Sequence, residues 1–193
     1  VVDSRTASAI LGRSPAAITM RKCTFSMKDG KAMIVRGGTK VEITDCTFTG
    51  GQGAFHADMG AQFTLKGCKF KDIGAKGVQG PALKVYGKGS SLTAEDCTFT
   101  GCRLPLQAEE TATMTLTKCT FSGNGVPGEK DDFTQGVVAV NKGSSATLKD
   151  VTFEKNMQGI NVFAASSVQI EECKFLNCGT ITGDEKFNHF CVP

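Results

Sequence analysis

Residues 93–102 read TAEDCTFTGC, and the heart of that stretch, Cys97-Thr98-Phe99, is one of seven copies. The others are Cys23-Thr24-Phe25, Cys46-Thr47-Phe48, Cys68-Lys69-Phe70, Cys119-Thr120-Phe121, Val151-Thr152-Phe153 and Cys173-Lys174-Phe175. Successive copies lie 23, 22, 29, 22, 32 and 22 residues apart. Self-similarity at a period of this size marks a chain of stacked units, each burying its apolar face against the next.

Working outward from the motif, an apolar pair stands five and three residues before every Cys position: Ile18/Met20, Val41/Ile43, Phe63/Leu65, Leu92/Ala94, Met114/Leu116, Ala146/Leu148 and Val168/Ile170. A spacing of two is the strand period, in which alternate side chains share a face. Further back lies a second pair of the same spacing: Met33/Val35, Phe55/Ala57, Leu83/Val85, Leu106/Ala108, Val138/Val140 and Ile160/Val162. Turn residues such as Gly37-Gly38, Lys88-Gly89-Ser90-Ser91 and Lys142-Gly143-Ser144-Ser145 separate the strands. Three short strands in a period of about 22 residues are too many for hairpins without strict two-residue turns. They suit one rung of a coil, with each strand paired to its equivalents above and below at roughly 4.8 Å. Cys recurs because one internal position recurs, beside a ladder of Phe; Cys is small and readily buried.

The composition agrees with this reading. The chain has 193 residues, 40% hydrophobic, with 23 Gly, 13 Phe, one Tyr and no Trp, which favours strands and turns in a single domain over a helical bundle. Net charge is +3 with acids and bases interleaved, giving no electrostatic ground for a nucleic-acid partner. No apolar run approaches the roughly 18–20 residues that would span a bilayer, so membrane insertion is not expected. The opening Val1-Val2-Asp3 reads as a processed or trimmed end.

The pattern hydrophobic-x-hydrophobic-x-x-Cys-x-Phe, followed by Gly, Asn or Cys, resembles the right-handed parallel β-helix proteins of the pectate-lyase-like superfamily over about residues 10–178. The resemblance implies an all-β, right-handed parallel β-helix solenoid of about seven rungs, three short strands to a rung. It is specific for fold and unspecific for function, since that superfamily includes polysaccharide lyases and hydrolases, tailspikes, adhesins and structural coils. It also implies that Asn124 and Asn156, five residues after the Cys position, bond turn backbone. A left-handed coil of hexapeptides would need a period of about 18. The expected organisation is a β-helix over 1–178, with a tail over 179–193 that loses the pattern, contains His189 and covers the coil end.

Of nine cysteines, six fall at the single rung position, whereas a disulfide framework or a zinc site calls for other spacings. They are read as reduced and structural, with no metal and no cofactor expected. Cys102, Cys178 and Cys191 stand off the main ladder and are the expected places for any oxidation.

With a packed interior, function falls to outward residues and to swollen loops, here residues 71–81 and 123–136. Alternation places Ile34/Arg36, His56/Asp58, Lys84/Tyr86, Gln107/Glu109, Ala139/Asn141 and Asn161/Phe163 outward on one face. Its middle gathers the candidate binding residues Arg36, His56, Asp58, Lys84, Tyr86, Gln107 and Glu109. In the lyases that the resemblance points to, carboxylates bind Ca²⁺ or protonate and a basic residue acts at the uronate; Arg36, His56, Asp58 and Lys84 are the residues to ask for such parts. An ordinary solvated face would also show mixed polar residues at these places. No aspartate cluster like that of galacturonate hydrolases appears. Glu129, Asp131 and Asp132 are acids of the longer loop, read as solvated before they are read as Ca²⁺ ligands. Thr24, Thr47, Thr98, Thr120 and Thr152, with Ser26, Thr49, Thr100 and Ser122, form rows resembling ice-binding β-helices, broken by Lys69, Lys71, Lys174, Glu154 and Leu176. The row Thr19, Thr64, Thr93, Thr115 and Thr147 favours plain strand propensity instead.

Together these readings describe a non-catalytic, rigid β-helix binding or scaffold module. It would act with a protein partner or within a larger assembly, either as a subunit or as a section of a longer chain. The alternatives are a polysaccharide-active, lyase-like enzyme or carbohydrate-binding module, and an ice-binding protein.

Overall fold

The structure, a computed structural model, describes residues 2–4, 10–12, 15–74, 80–125, 137–157, 159–178 and 182–183. Among these residues there is no helix, and all strands pair in parallel in three sheets of eight, eight and seven strands. The chain visits the sheets in a fixed cycle. Thr24–Met27 lies in the first sheet, Lys31–Val35 in the second and Lys40–Thr44 in the third, and Thr47–Gly50 then returns to the first, one rung further along. The seven rungs read from the sequence are all present. Two more short strands precede them, Val2–Ser4 and Ile10–Gly12, with Val2 opposite Phe25 in the ladder. Of the tail expected to cover the coil end, the described part is Thr182–Gly183, which pairs with Ile160–Val162.

The register is that of like on like. Phe25, Phe48, Phe70, Phe99, Phe121, Phe153 and Phe175 stack with centroids 4.7–5.1 Å apart and rings within 12° of parallel. The rung spacing sets that distance, which falls in the range of favourable aromatic contacts. Phe55, from the second sheet, meets Phe48 edge-on at 4.7 Å and ties two walls of the coil together.

Each rung turns from the third sheet into the first through one left-handed residue directly before the Cys position. These are Lys22, Asp45, Gly67, Asp96, Lys118, Asp150 and Glu172, with φ between 52° and 61°. Gly and Asp accept that conformation most readily; at Lys and Glu it must be held by the ladder bonds on either side. Those bonds are regular: the amide of Asp45 donates to the Lys66 carbonyl and that of Asp96 to the Thr117 carbonyl, at 2.9 and 3.1 Å.

The thiol fits this corner for a reason beyond size. Cys46, Cys68, Cys97 and Cys119 each donate to the carbonyl two residues earlier at 3.3–3.5 Å, and Cys46 Sγ accepts from the backbone N–H of Cys23 at 3.2 Å. A weak donor and acceptor in one small side chain thus serves backbone groups at a dry bend. Every described cysteine is a free thiol. Cys102 is fully buried, which corrects the expectation that its place off the main ladder opens it to oxidation; Cys191 lies outside the described residues.

Asn124 and Asn156 do bond turn backbone. Asn124 Oδ1 accepts from the Cys102 amide at 2.9 Å, while its Nδ2 donates to the Phe99 carbonyl at 3.0 Å. Asn156 repeats both bonds one rung on, to the Asn124 amide and the Phe121 carbonyl.

Candidate functional site

The second sheet carries the candidate face. Its strands Lys31–Val35, Gly53–Asp58, Leu83–Tyr86 and Leu106–Glu109 pair so that Ile34, His56, Lys84 and Gln107 form one outward row, while Asp58, Tyr86 and Glu109 form the next. Met33, Phe55, Leu83 and Leu106 point the other way, into the core, so the pleat fixes the row independently of what the outward residues are.

Arg36 continues the second row at its lower end, its Nε 3.4 Å from Asp58 Oδ2. Lys84 Nζ lies 2.7 Å from Glu109 Oε2 and 5.2 Å from the centroid of Tyr86. Glu109 Oε1 also meets Lys142 Nζ at 2.7 Å, and Lys142 reaches Glu110 at 3.5 Å. Burial alone would raise the Glu109 carboxyl, but Lys142 and Lys84 outweigh it and hold the group below its ordinary value. The Tyr86 phenol is raised, first by its hydrogen bond to Glu110. His56 is pushed down to about 4, chiefly by burial and then by the nearby charges of Lys31 and Lys84, so its imidazole is neutral at pH 7. Burial, with Lys84 adding, also lowers Lys31.

The structure therefore gathers Arg36, His56, Asp58, Lys84, Tyr86 and Glu109 as one patch. Gln107 shares the row but is only 9% exposed, and beyond it Ala139 and Asn161 are 0% and 1% exposed. The expectation that Gln107 belongs to an open face is corrected accordingly: it points out of the coil, yet it is covered. Sequence reasoning also missed Lys31, Glu110 and Lys142. Lys142 and Glu110 sit in the turns after the second-sheet strands, where an alternation rule has no say, and Lys31 opens its strand ahead of a break in the alternation.

Among the described residues no group of three or more His, Cys, Asp or Glu is placed to hold a metal ion. Glu129, Asp131, Asp132 and His189 lie outside the described residues. The threonine rows are in register. Thr47, Lys69, Thr98, Thr120 and Thr152 follow one another in the first sheet, with Lys69 interrupting the row. In the third sheet Thr64, Thr93, Thr115 and Thr147 are consecutive and exposed.

A family model described as a right-handed beta helix region matches residues 8–175. The chain belongs to that right-handed β-helix family. No curated protein matches it. Family membership accounts for the coil and its ladders; in a right-handed β-helix the function rests on the outward residues, which the fold leaves free to vary.

Proposed function

We propose that this β-helix is a rigid, non-catalytic binding module, and that an extended, polar ligand of saccharide type lies along the face from Arg36 to Glu109. The observation that carries the reading is the pairing of the charges. Asp58 is engaged by Arg36, and Glu109 by Lys84 and Lys142. Such a face presents ordered hydrogen-bonding groups at strand spacing around the partly exposed Tyr86 ring. The core of a protein interface is depleted in charge and rich in apolar side chains, and this patch has the opposite composition.

The lyase reading asks for a free base and a free cation at the reacting carbon. Here Lys84 and Arg36 are committed to carboxylates, and His56, at about 4, is a weak base. The ice-binding reading has the third-sheet threonine row in its favour, but Glu42 stands in that row between Thr19 and Thr64.

Binding of neutral and acidic oligosaccharides, measured by calorimetry, tests the proposal. Tyr86→Ala is expected to weaken the best ligand about tenfold, with no bond cleaved. Release of unsaturated product that disappears in Lys84→Ala and His56→Ala would establish the enzyme instead. Thermal hysteresis of the pure protein would establish ice binding.

A further inference from the structure

The charges of the His56 face cancel at one end and not at the other. Glu109 and Glu110 are satisfied by Lys84 and Lys142, and Asp58 by Arg36. Lys31 has no carboxylate at ion-pair distance among the described residues, although it is half-buried and burial already lowers its hold on its proton. Other lysines without such a partner, Lys28 and Lys69 for instance, are exposed and solvated. Counting the patch, four cations (Lys31, Arg36, Lys84 and Lys142) face three carboxylates, and the excess of one positive charge sits at Lys31.

Local backbone puts it there. Lys31 pairs with Gly53 across the sheet, and a Cβ on Gly53 would lie 3.5 Å from Lys31 Cγ and 3.6 Å from its Cε. The lysine stem therefore lies across the bare glycine, on the strand that carries His56. Lys84 is the ladder partner of His56, and Lys31 lies over Gly53, three residues before His56 on the same strand; both positive charges act on the imidazole. A partly desolvated cation without a counter-charge is unfavourable, and a neutral imidazole beside it can donate an N–H.

We propose that Lys31, His56 and Lys84 form a subsite for a singly charged oxyanion of the ligand, a carboxylate or a sulfate ester. This rests on the saccharide-binding reading above and adds the charge of the ligand to it. The anion takes the place of the missing carboxylate: it accepts from the Lys31 ammonium and the His56 ring, with Lys84 supplying field from behind while keeping Glu109. One negative charge balances the patch. Two would leave it over-neutralised, so a monoanion is preferred to a phosphate dianion.

The test uses the full chain, uniformly isotope-labelled, titrated with a uronate trisaccharide, a sulfated trisaccharide and a neutral one of the same linkage. The expected result is binding of an acidic ligand at least tenfold tighter than the neutral one, with a shift of the His56 ring signals and a rise in its titration midpoint. Lys31→Met, which keeps the stem, is expected to remove that tenfold preference and leave the neutral ligand's affinity unchanged; Lys28→Met is expected to change neither. Comparison of the two acidic ligands distinguishes carboxylate from sulfate. If the neutral ligand binds the sheet as tightly as the acidic ones, or Lys31→Met weakens all three alike, the subsite is overturned while the saccharide reading stands. If none of the three perturbs any residue of the sheet, both fall.

Discussion

Along the second sheet one outward row changes character half-way. Ile34, His56 and Lys84 keep part of their surface in contact with solvent, whereas Gln107, Ala139 and Asn161 are buried although the same pleat turns them out of the coil. Alternation decides on which side of the wall a side chain stands. Whether that side is wet, alternation does not decide: the same row holds partly exposed His56 and fully buried Ala139. The candidate site is therefore the lower half of the row, and it is the half in which ionisable residues collect.

The contrast has a reference at its extreme, the interior. Phe99 is fully buried between Phe70 and Phe121, with centroids at 4.7 Å on both sides. Phe99→Ala removes a ring from the middle of a continuous stack, and the neighbouring rungs, fixed by their ladders, cannot close on the space. The expected loss is about 3–5 kcal/mol, read from urea unfolding.

A sharper test compares two outward positions. Ala139→Asp puts a charge at a place that faces out but is covered, and is expected to cost about 3 kcal/mol. Thr115→Asp puts the same charge at an exposed outward place in the third sheet and is expected to cost about 1 kcal/mol or less, mostly strand propensity. Equal costs in urea unfolding would erase the distinction between the two halves of the face.

Next in size is Asn124→Ala. It leaves the Cys102 amide and the Phe99 carbonyl without their partners in a dry turn, at a cost of about 2 kcal/mol. Faster hydrogen exchange at the Cys102 amide, relative to the equivalent amides of neighbouring rungs, would show that the loss is local.

How much of this could be read beforehand follows from the same physics. The ladders were legible because a repeated rung must repeat its inward residues: the seven Phe and the Asn pair sit where spacing and resemblance put them. The corner was harder. Asp45, Gly67, Asp96 and Asp150 suit a left-handed bend, but Lys22, Lys118 and Glu172 occupy the same place and mask the signal. At the site, Arg36, His56, Asp58, Lys84, Tyr86 and Glu109 were legible from alternation alone. Lys142 was not, because its approach to Glu109 comes from a turn, and the covering of Ala139 was not, because burial on the outer side leaves no periodic trace.

The smallest expected effect concerns His56 and bears on the open half of the row. Its pKa of about 4 lies below the ordinary 6.5, so between those values the unfolded chain binds a proton that the folded one refuses. Stability linked to His56 is therefore fully present above about pH 6.5 and is lost as pH falls toward 4. Because the ring keeps contact with solvent, screening reduces the effect to about 1 kcal/mol. Urea midpoints of the native protein and of His56→Gln at pH 7 and pH 4.5 give the linked term as a double difference, which removes the shared contribution of the carboxylates. Lys31→Met should move the His56 midpoint upward, since it takes away the largest charge contribution to the shift while leaving most of the burial. A midpoint near 6.5 in the native protein would mean that His56 is as open as any surface histidine, and the lower half of the row would then be an ordinary solvated face.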